Sequence, residues 1–154
     1  MPPGYTAREC RRDDIHALGH LYFEAYDPGQ ACDSVAEAVA DIEASFAGQY
    51  GPLWPEASPL LVTDQQQPAA AIMVVERAPW TDTPDCPFII ELFTARAHRR
   101  RGLGRWLIRA AMDAVAAAGR DQLALRVASD NDPARGLYRS LGFREWTPEQ
   151  PLTG

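Results

Sequence analysis

The chain has 154 residues, 46% hydrophobic and 23% charged, as in an ordinary globular domain large enough to bury a core. Its net charge of −6 argues against a general nucleic-acid binder, which carries a basic balance. No apolar run approaches the roughly 18 residues of a membrane span, and the N-terminus MPPGYTARECRRDD has no apolar signal core.

In chain order, Tyr5–Cys10 alternates weakly and reads as a first strand. Asp13 or Asp14 is placed to cap a helix with Ile15, Leu18, Tyr22 and Ala25 on one face. Ser34 and Glu37 have capping-box spacing before a second helix with Val35, Val39, Ile42 and Phe46 in period. A proline-containing aromatic loop, Gly48–Pro59, leads to Pro59–Thr63 and Ala69–Glu76, two β-rich runs joined by a turn at Asp64–Pro68. After the loop Ala78–Cys86, Pro87–Thr94 (PFIIELFT) is a nearly continuous apolar strand, predicted to be buried on both faces apart from Glu91. Gly102–Ala118 reads as a helix with Leu103, Leu107, Ala110, Ala111 and Ala114 inward, closed by Gly119. Leu123–Ala128 is a strand, Asp132 caps a short helix with Pro133 in its first turn, and Phe143–Trp146 begins a last strand. The order β-α-α-β-β-β-α-β-α-β predicts one α/β domain over 1–154 with a mixed sheet. Cys10, Cys32 and Cys86 have neither paired nor metal-ligand spacing, which predicts reduced thiols, a cytoplasmic location and no bound metal.

Against the acidic background, His98-Arg99-Arg100-Arg101 followed by Arg105 and Arg109 is a local concentration of positive charge. A charge run alone is most often a solvated face. Here it leads from a strand into a helix and contains Gly102 and Gly104. The first N–H groups of a helix lack intrahelical partners, and residues without Cβ let a phosphate approach them closely. A tight turn is the simpler use of the same glycines. A dinucleotide fingerprint fails because its third glycine position is Leu107, and a nucleotide P-loop fails because Gly-Lys-Ser/Thr is missing.

The stretch ELFTARAHRRRGLGRWLIRAAMDA resembles the acetyl-CoA-binding motif of the GNAT superfamily of N-acetyltransferases. A second block, ASDNDPARGLYRSLGF, resembles that family's Asn-…-Ala-…-Leu-Tyr-…-Gly-Phe motif, with Asn131 lying 29 residues after Gly102. Together the blocks cover 87–143. The resemblance implies a GNAT-like α+β fold: a mostly antiparallel mixed sheet, about four flanking helices, and acetyl-CoA between two splayed strands, the fourth and fifth. It implies that the backbone of Leu92, Phe93 and Thr94 pairs with the pantetheine arm. Arg99, Arg100, Arg101, Gly102, Leu103, Gly104 and Arg105 would form the pyrophosphate loop, with Asn131 hydrogen-bonding the coenzyme. Tyr138 would stand near the thioester sulfur as proton donor.

The chemistry supports the last role, because a phenol of pKa about 10 can protonate a departing thiolate of pKa about 8.5. A tyrosine packed on a short helix is the plain alternative. Glu91, the one ionisable residue of its strand, is either the base or ammonium-orienting group or a partner in a structural ion pair. Relatives that acetylate ribosomal-protein N-termini carry a glutamate where this chain has Arg126, which weighs against that mechanism. His16 and His20 lack a third metal ligand. By the same resemblance the acceptor site is lined by Tyr22, Tyr26, the Asp27–Asp33 loop, Tyr50, Trp54 and Trp80, a set suited to a small cationic amine and equally to loop packing. Only 11 residues follow Phe143, so the last strand is expected to be short, missing, or supplied across an open edge by a second copy in a homodimer. Two other functions stay open: a non-catalytic acyl-CoA-binding regulatory domain, and acetylation of a protein terminus or lysine.

Overall fold

A computed structural model describes residues 2–26, 33–80, 83–126 and 132–144. Five strands, β1 (Tyr5–Glu9), β2 (Pro59–Thr63), β3 (Pro68–Val75), β4 (Phe88–Thr94) and β5 (Ala124–Leu125), form one sheet in the order 1-2-3-4-5. The first three pairings are antiparallel and β4–β5 is parallel. The helices are α1 (Ile15–Ala25), α2 (Val35–Phe46), α3 (Leu103–Ala117) and α4 (Asp132–Ser140). This is the mixed, mostly antiparallel sheet with four helices that the sequence predicts.

The sheet is covered on both faces. Leu18 and Tyr22 of α1 and Ile42 of α2 pack on Leu60, Val62, Ala71, Met73 and Phe93. Leu103, Leu107, Ile108 and Ala111 of α3 pack on Leu61, Ala70, Ile72, Val74 and Ile89. The central strand β3 is buried on both sides, which its run Ala69-Ala70-Ala71 accommodates by being small.

Several local expectations are corrected. Asp14 does not cap α1 with its side chain. Its carboxylate instead takes both Arg8 guanidinium nitrogens at 2.8 Å and the Arg11 N–H at 2.8 Å, and these bonds hold its pKa below the usual carboxylate range. Ser34 does cap α2, accepting from the Glu37 N–H at 3.1 Å, but Glu37 returns its bond to the Asp33 N–H. On α2 the fully buried residues are Ala38, Ile42 and Ser45, while Val35, Val39 and Phe46 are half-buried. On α3, Ile108 and Val115 join Leu103, Leu107 and Ala111 inside, and Ala110 and Ala114 are half-buried.

Phe143 is not in a strand. Its N–H bonds the Tyr138 carbonyl at 3.0 Å and Gly142 has φ +97°, a left-handed helix cap rather than a new extended segment. Arg144 is not in a strand either; Glu145 and Trp146, the Val127–Ala128 end of the preceding strand, Asn131 and most of the Asp27–Asp33 loop lie outside the described residues. Among the described residues no helix is long and apolar enough to cross a membrane.

The contact between α1 and α2 depends on Gly19. A Cβ there would meet Val39 Cγ2 at 2.5 Å, and also its Cα at 2.7 Å and N at 2.9 Å. Backbone atoms cannot step aside as a side-chain tip can. Gly19→Ala is therefore expected to destabilise the protein by about 1–3 kcal/mol in urea unfolding, despite alanine's better helix propensity. Unchanged stability would show that the helix pair is loosely packed.

Candidate active site

The site is built around one irregularity in β4. Met73 pairs with Glu91, but the next β3 residue, Val74, pairs with Ile89, leaving Ile90 as an extra residue. Such a bulge breaks the two-residue alternation of side chains. Ile89 and Leu92 pack on the α3 side, whereas Ile90 and Phe93 pack on the α1/α2 side. Glu91 is thereby turned toward α1, where the Tyr22 hydroxyl donates to its carboxylate. Burial, together with the negative charge of Asp41 on α2, pushes the Glu91 pKa up to about 8. The strand is thus less enclosed than its apolar run predicts, with Ile90, Glu91 and Leu92 half-buried.

Beyond the bulge β4 loses its outer neighbour. β5 pairs with it only at Phe88↔Ala124 and Ile89↔Leu125, so past Ile89 that edge has no paired strand among the described residues. Two phenols approach this region from opposite sides of the sheet. Tyr26, at the end of α1, belongs to the α1/α2 cluster, and Tyr138, on α4, packs against the α3 cluster. They are close enough that the Tyr26 pKa, already raised by burial, is raised further by Glu91 and by Tyr138. Burial also holds the Tyr138 pKa above the ordinary phenol value. The Tyr138 ring rests edge-on against Phe143 with centroids 5.9 Å apart, so the cap that ends α4 also braces this phenol.

Past β4 a short 3-10 turn, Arg96–His98, brings the chain to the start of α3. Arg100 (φ +64°) and Gly102 (φ +76°) are both left-handed, a conformation easy for glycine and strained for arginine. The residues around Arg100 are pinned. Arg99 donates from its guanidinium to the Ala25 carbonyl at the end of α1. Arg101 donates to the Tyr5 hydroxyl at 2.8 Å, which is also bonded to His98 Nδ1 at 2.7 Å. Arg105 reaches Ser140 on α4 at 2.9 Å.

In consequence the main-chain N–H groups of Arg100 through Arg105, six in succession, have no hydrogen-bond acceptor among the described residues; the next, on Trp106, bonds the Gly102 carbonyl at 3.0 Å. Gly104 lies within α3 at an ordinary helical φ, and a Cβ there would meet nothing within 4 Å. Neither packing nor backbone conformation explains a helix-weakening residue at that position.

On the α1/α2 side the aromatic residues form two groups. Tyr22 lies 5.3 Å from Tyr26 and 5.4 Å from Phe93, centroid to centroid. Tyr50 donates to Asp41 Oδ1 at 2.6 Å and lies 6.2 Å from Trp80. Trp80 in turn lies 5.9 Å from Phe88 and has the Arg126 guanidinium 5.2 Å above its ring. Trp54 belongs to neither group. Its N–H bonds the Val74 carbonyl at 2.8 Å, and the adjoining 3-10 turn Pro55–Ala57 packs against α3, which places Trp54 on the opposite face of the sheet.

The sequence reading missed two features. Asp41 was hidden among solvent-facing acids of α2, with only the later Tyr50 to hint at a partner. The Arg96 pair of bonds to Glu24, from its N–H to the carboxylate (3.1 Å) and from Nε to the carbonyl (2.9 Å), ties the basic loop to α1 and has no local signature.

A 45-residue segment is 49% identical to a mycothiol acetyltransferase of Clavibacter michiganensis subsp. michiganensis, covering 29% of this chain and 15% of that protein. The match thus spans only a small part of that relative's length. The fold superposes on an aminoglycoside antibiotic 6'-N-acetyltransferase from Acinetobacter haemolyticus with a TM-score of 0.66, 22% identity and 97% of each chain covered. It also superposes on the ribosomal-protein-S18-alanine N-acetyltransferase from Escherichia coli with a TM-score of 0.72, 22% identity, and coverage of 93% of this chain and 79% of that one. At these identities the two structures speak to the fold alone. The profile of the acetyltransferase (GNAT) family, however, matches residues 17–143, most of the sequence, and the chain belongs to that family.

Proposed function

We propose that this protein transfers the acetyl group of acetyl-CoA to a primary amine of a small molecule by direct attack within a ternary complex. The observation that carries the reading is the row of six N–H groups at Arg100–Arg105 with no acceptor among the described residues, opened by Gly104 at the positive end of α3. Six successive donors match the several oxygens of a diphosphate. The surrounding arginines add attraction at longer range, although Arg99, Arg101 and Arg105 each also hold a protein atom. The unpaired edge of β4 at Leu92–Thr94 offers backbone groups to an extended amide-bearing arm, which describes pantetheine. Asn131 remains an expected coenzyme contact from the family motif alone.

In the reaction, an amine of pKa about 10.4 arrives as ammonium and must lose a proton before it attacks. Glu91, with its pKa at about 8, is half ionised near that pH and accepts the proton, directly or through water. The nitrogen lone pair adds to the thioester carbon, and a main-chain N–H near Phe93 meets the developing oxyanion. As the intermediate collapses the C–S bond breaks, the amide C–N bond remains, Tyr138 gives its proton to the departing thiolate, and the second proton lost by the nitrogen returns through water to the phenolate of Tyr138. The raised pKa of Tyr138 keeps it protonated throughout the working range. No covalent acyl-enzyme is needed. This chemistry distinguishes the reading from a non-catalytic acyl-CoA-binding domain, which would bind the coenzyme and release no thiol when amine is added.

Three outcomes are expected. Tyr138→Phe should lower kcat by about 10²-fold or more in a dye assay for released CoA, with coenzyme affinity preserved; full activity would remove the proton-donor assignment. For the wild type, kcat/KM should climb with pH toward a plateau above about 8, because protonated Glu91 cannot act as base. In Glu91→Gln that limb should vanish and the rate at pH 8 should fall about tenfold or more. Gly104→Ala should separate folding from binding: α3 gains about 0.5–1 kcal/mol of stability while CoA affinity falls about tenfold. Equal CoA affinity in that variant would mean that nothing approaches the backbone there. The chain's 15 basic residues are all arginine, so no lysine of its own competes as acetyl acceptor in these assays.

A further inference from the structure

The acceptor side of the site carries two carboxylates and no compensating ion pair. Glu91 is hydrogen-bonded by Tyr22 and Asp41 by Tyr50, in both cases through a neutral phenol. Neither acid forms a salt bridge among the described residues; the ion pairs recorded there are Arg8–Asp14 and Arg77–Asp85. Both side chains are half-buried, so solvent does not screen them as it would on an open surface. Arg126, the cation close to this aromatic set, is stacked on Trp80.

The surroundings select what the missing charge can be. Tyr50, bonded to Asp41, lies 6.2 Å from Trp80, which is 38% exposed. Tyr22 and Tyr26 flank Glu91. Each acid therefore has its own pair of aromatic rings, and a carboxylate beside aromatic faces is a binding environment for an organic ammonium. One acid suffices to take the proton of the reacting amine. The second, on a different element and anchored by its own tyrosine, has no step to perform.

Resting on the acetyltransferase reading, we infer that Asp41 is a specificity-determining residue that binds a second ammonium of the acceptor, so that the preferred acceptors are diamines, with one nitrogen at Glu91 and the other held by Asp41, Tyr50 and Trp80. Asp41 takes no part in bond making. It selects and orients the acceptor, and its contribution belongs in KM rather than in kcat.

The test uses the full chain saturated with CoA. Calorimetric titration with 1,4-diaminobutane and 1,6-diaminohexane is compared with titration by the n-alkylamines of equal carbon number, and steady-state acetylation is measured for the same compounds. At least one diamine should bind about tenfold or more tightly than its monoamine. Asp41→Asn, which keeps an acceptor oxygen for Tyr50, should abolish that preference through KM while leaving CoA affinity unchanged; with the neighbouring charge gone the rise of monoamine kcat/KM with pH should move to lower pH, and monoamine turnover on the plateau should stay the same. Asp41→Glu should restore part of it. Equal binding of diamines and monoamines, or an Asp41→Asn variant that weakens both alike, overturns the assignment. A wild type that fails to bind CoA at all would instead sink the acetyltransferase reading beneath it.

Discussion

A run of six main-chain N–H groups with no acceptor among the described residues is longer than the four that a helix start leaves open. Capping side chains and turns ordinarily take up some of those four. At Arg100–Arg105 neither does so among the described residues. The N-cap position is Gly102, which offers no capping oxygen, and Arg100 adopts a left-handed conformation costing about 1–2 kcal/mol. Side chains on either side then fasten the loop to three separate places: the end of α1, Tyr5 of β1, and Ser140 of α4. Structure devoted to holding donors open, rather than to satisfying them, makes sense when an external anion completes the set.

The rest of the site follows from how β4 reaches that loop. One additional residue at Ile90 changes which face the following side chains take. Without it Glu91 would point at α3 and its aliphatic core; with it the carboxylate meets Tyr22 and the field of Asp41. The same stretch of β4 has no paired outer strand among the described residues. The proposed base, a β4 edge unpaired among the described residues and the proposed anion-binding loop are thus consecutive on one short segment, Glu91–Arg105. The bonds from Arg96 and Arg99 to Glu24 and Ala25 then fix that segment against the helix that supplies Tyr22 and Tyr26. Donor and acceptor sides share a single frame.

Much of this is legible in the residues and some is not, for physical reasons. The helices and strands announce themselves because each buries one face and the period of burial is written in apolar side chains. The turn at Gly102 is legible because a glycine at a helix start is free to take the left-handed conformation found there. The bulge is not, since PFIIELFT looks the same with or without an extra residue in the pairing. Asp14 is misread because local capping geometry competes with a bidentate arginine that only the fold brings near. Trp54 is expected on the acceptor side, yet a proline-rich loop carries it to the other face, and periodicity says nothing about where a loop goes. Val39 gives up full burial to Ala38 because Gly19 lets two helices touch at the backbone, where only small residues fit. Phe143 has the side chain of a strand residue yet serves as the hydrophobic end of a helix cap.

The central claim is that the backbone at the head of α3 grips a diphosphate, and it is tested most directly by comparing ligands with and without that group. Calorimetric titration of the folded protein with CoA and with pantetheine, which keeps the thiol arm but lacks the diphosphate, isolates the contribution. The account predicts saturable binding of CoA and at least about a hundredfold weaker binding of pantetheine. Equal affinity for the two, or no heat with CoA from a demonstrably folded sample, would contradict it.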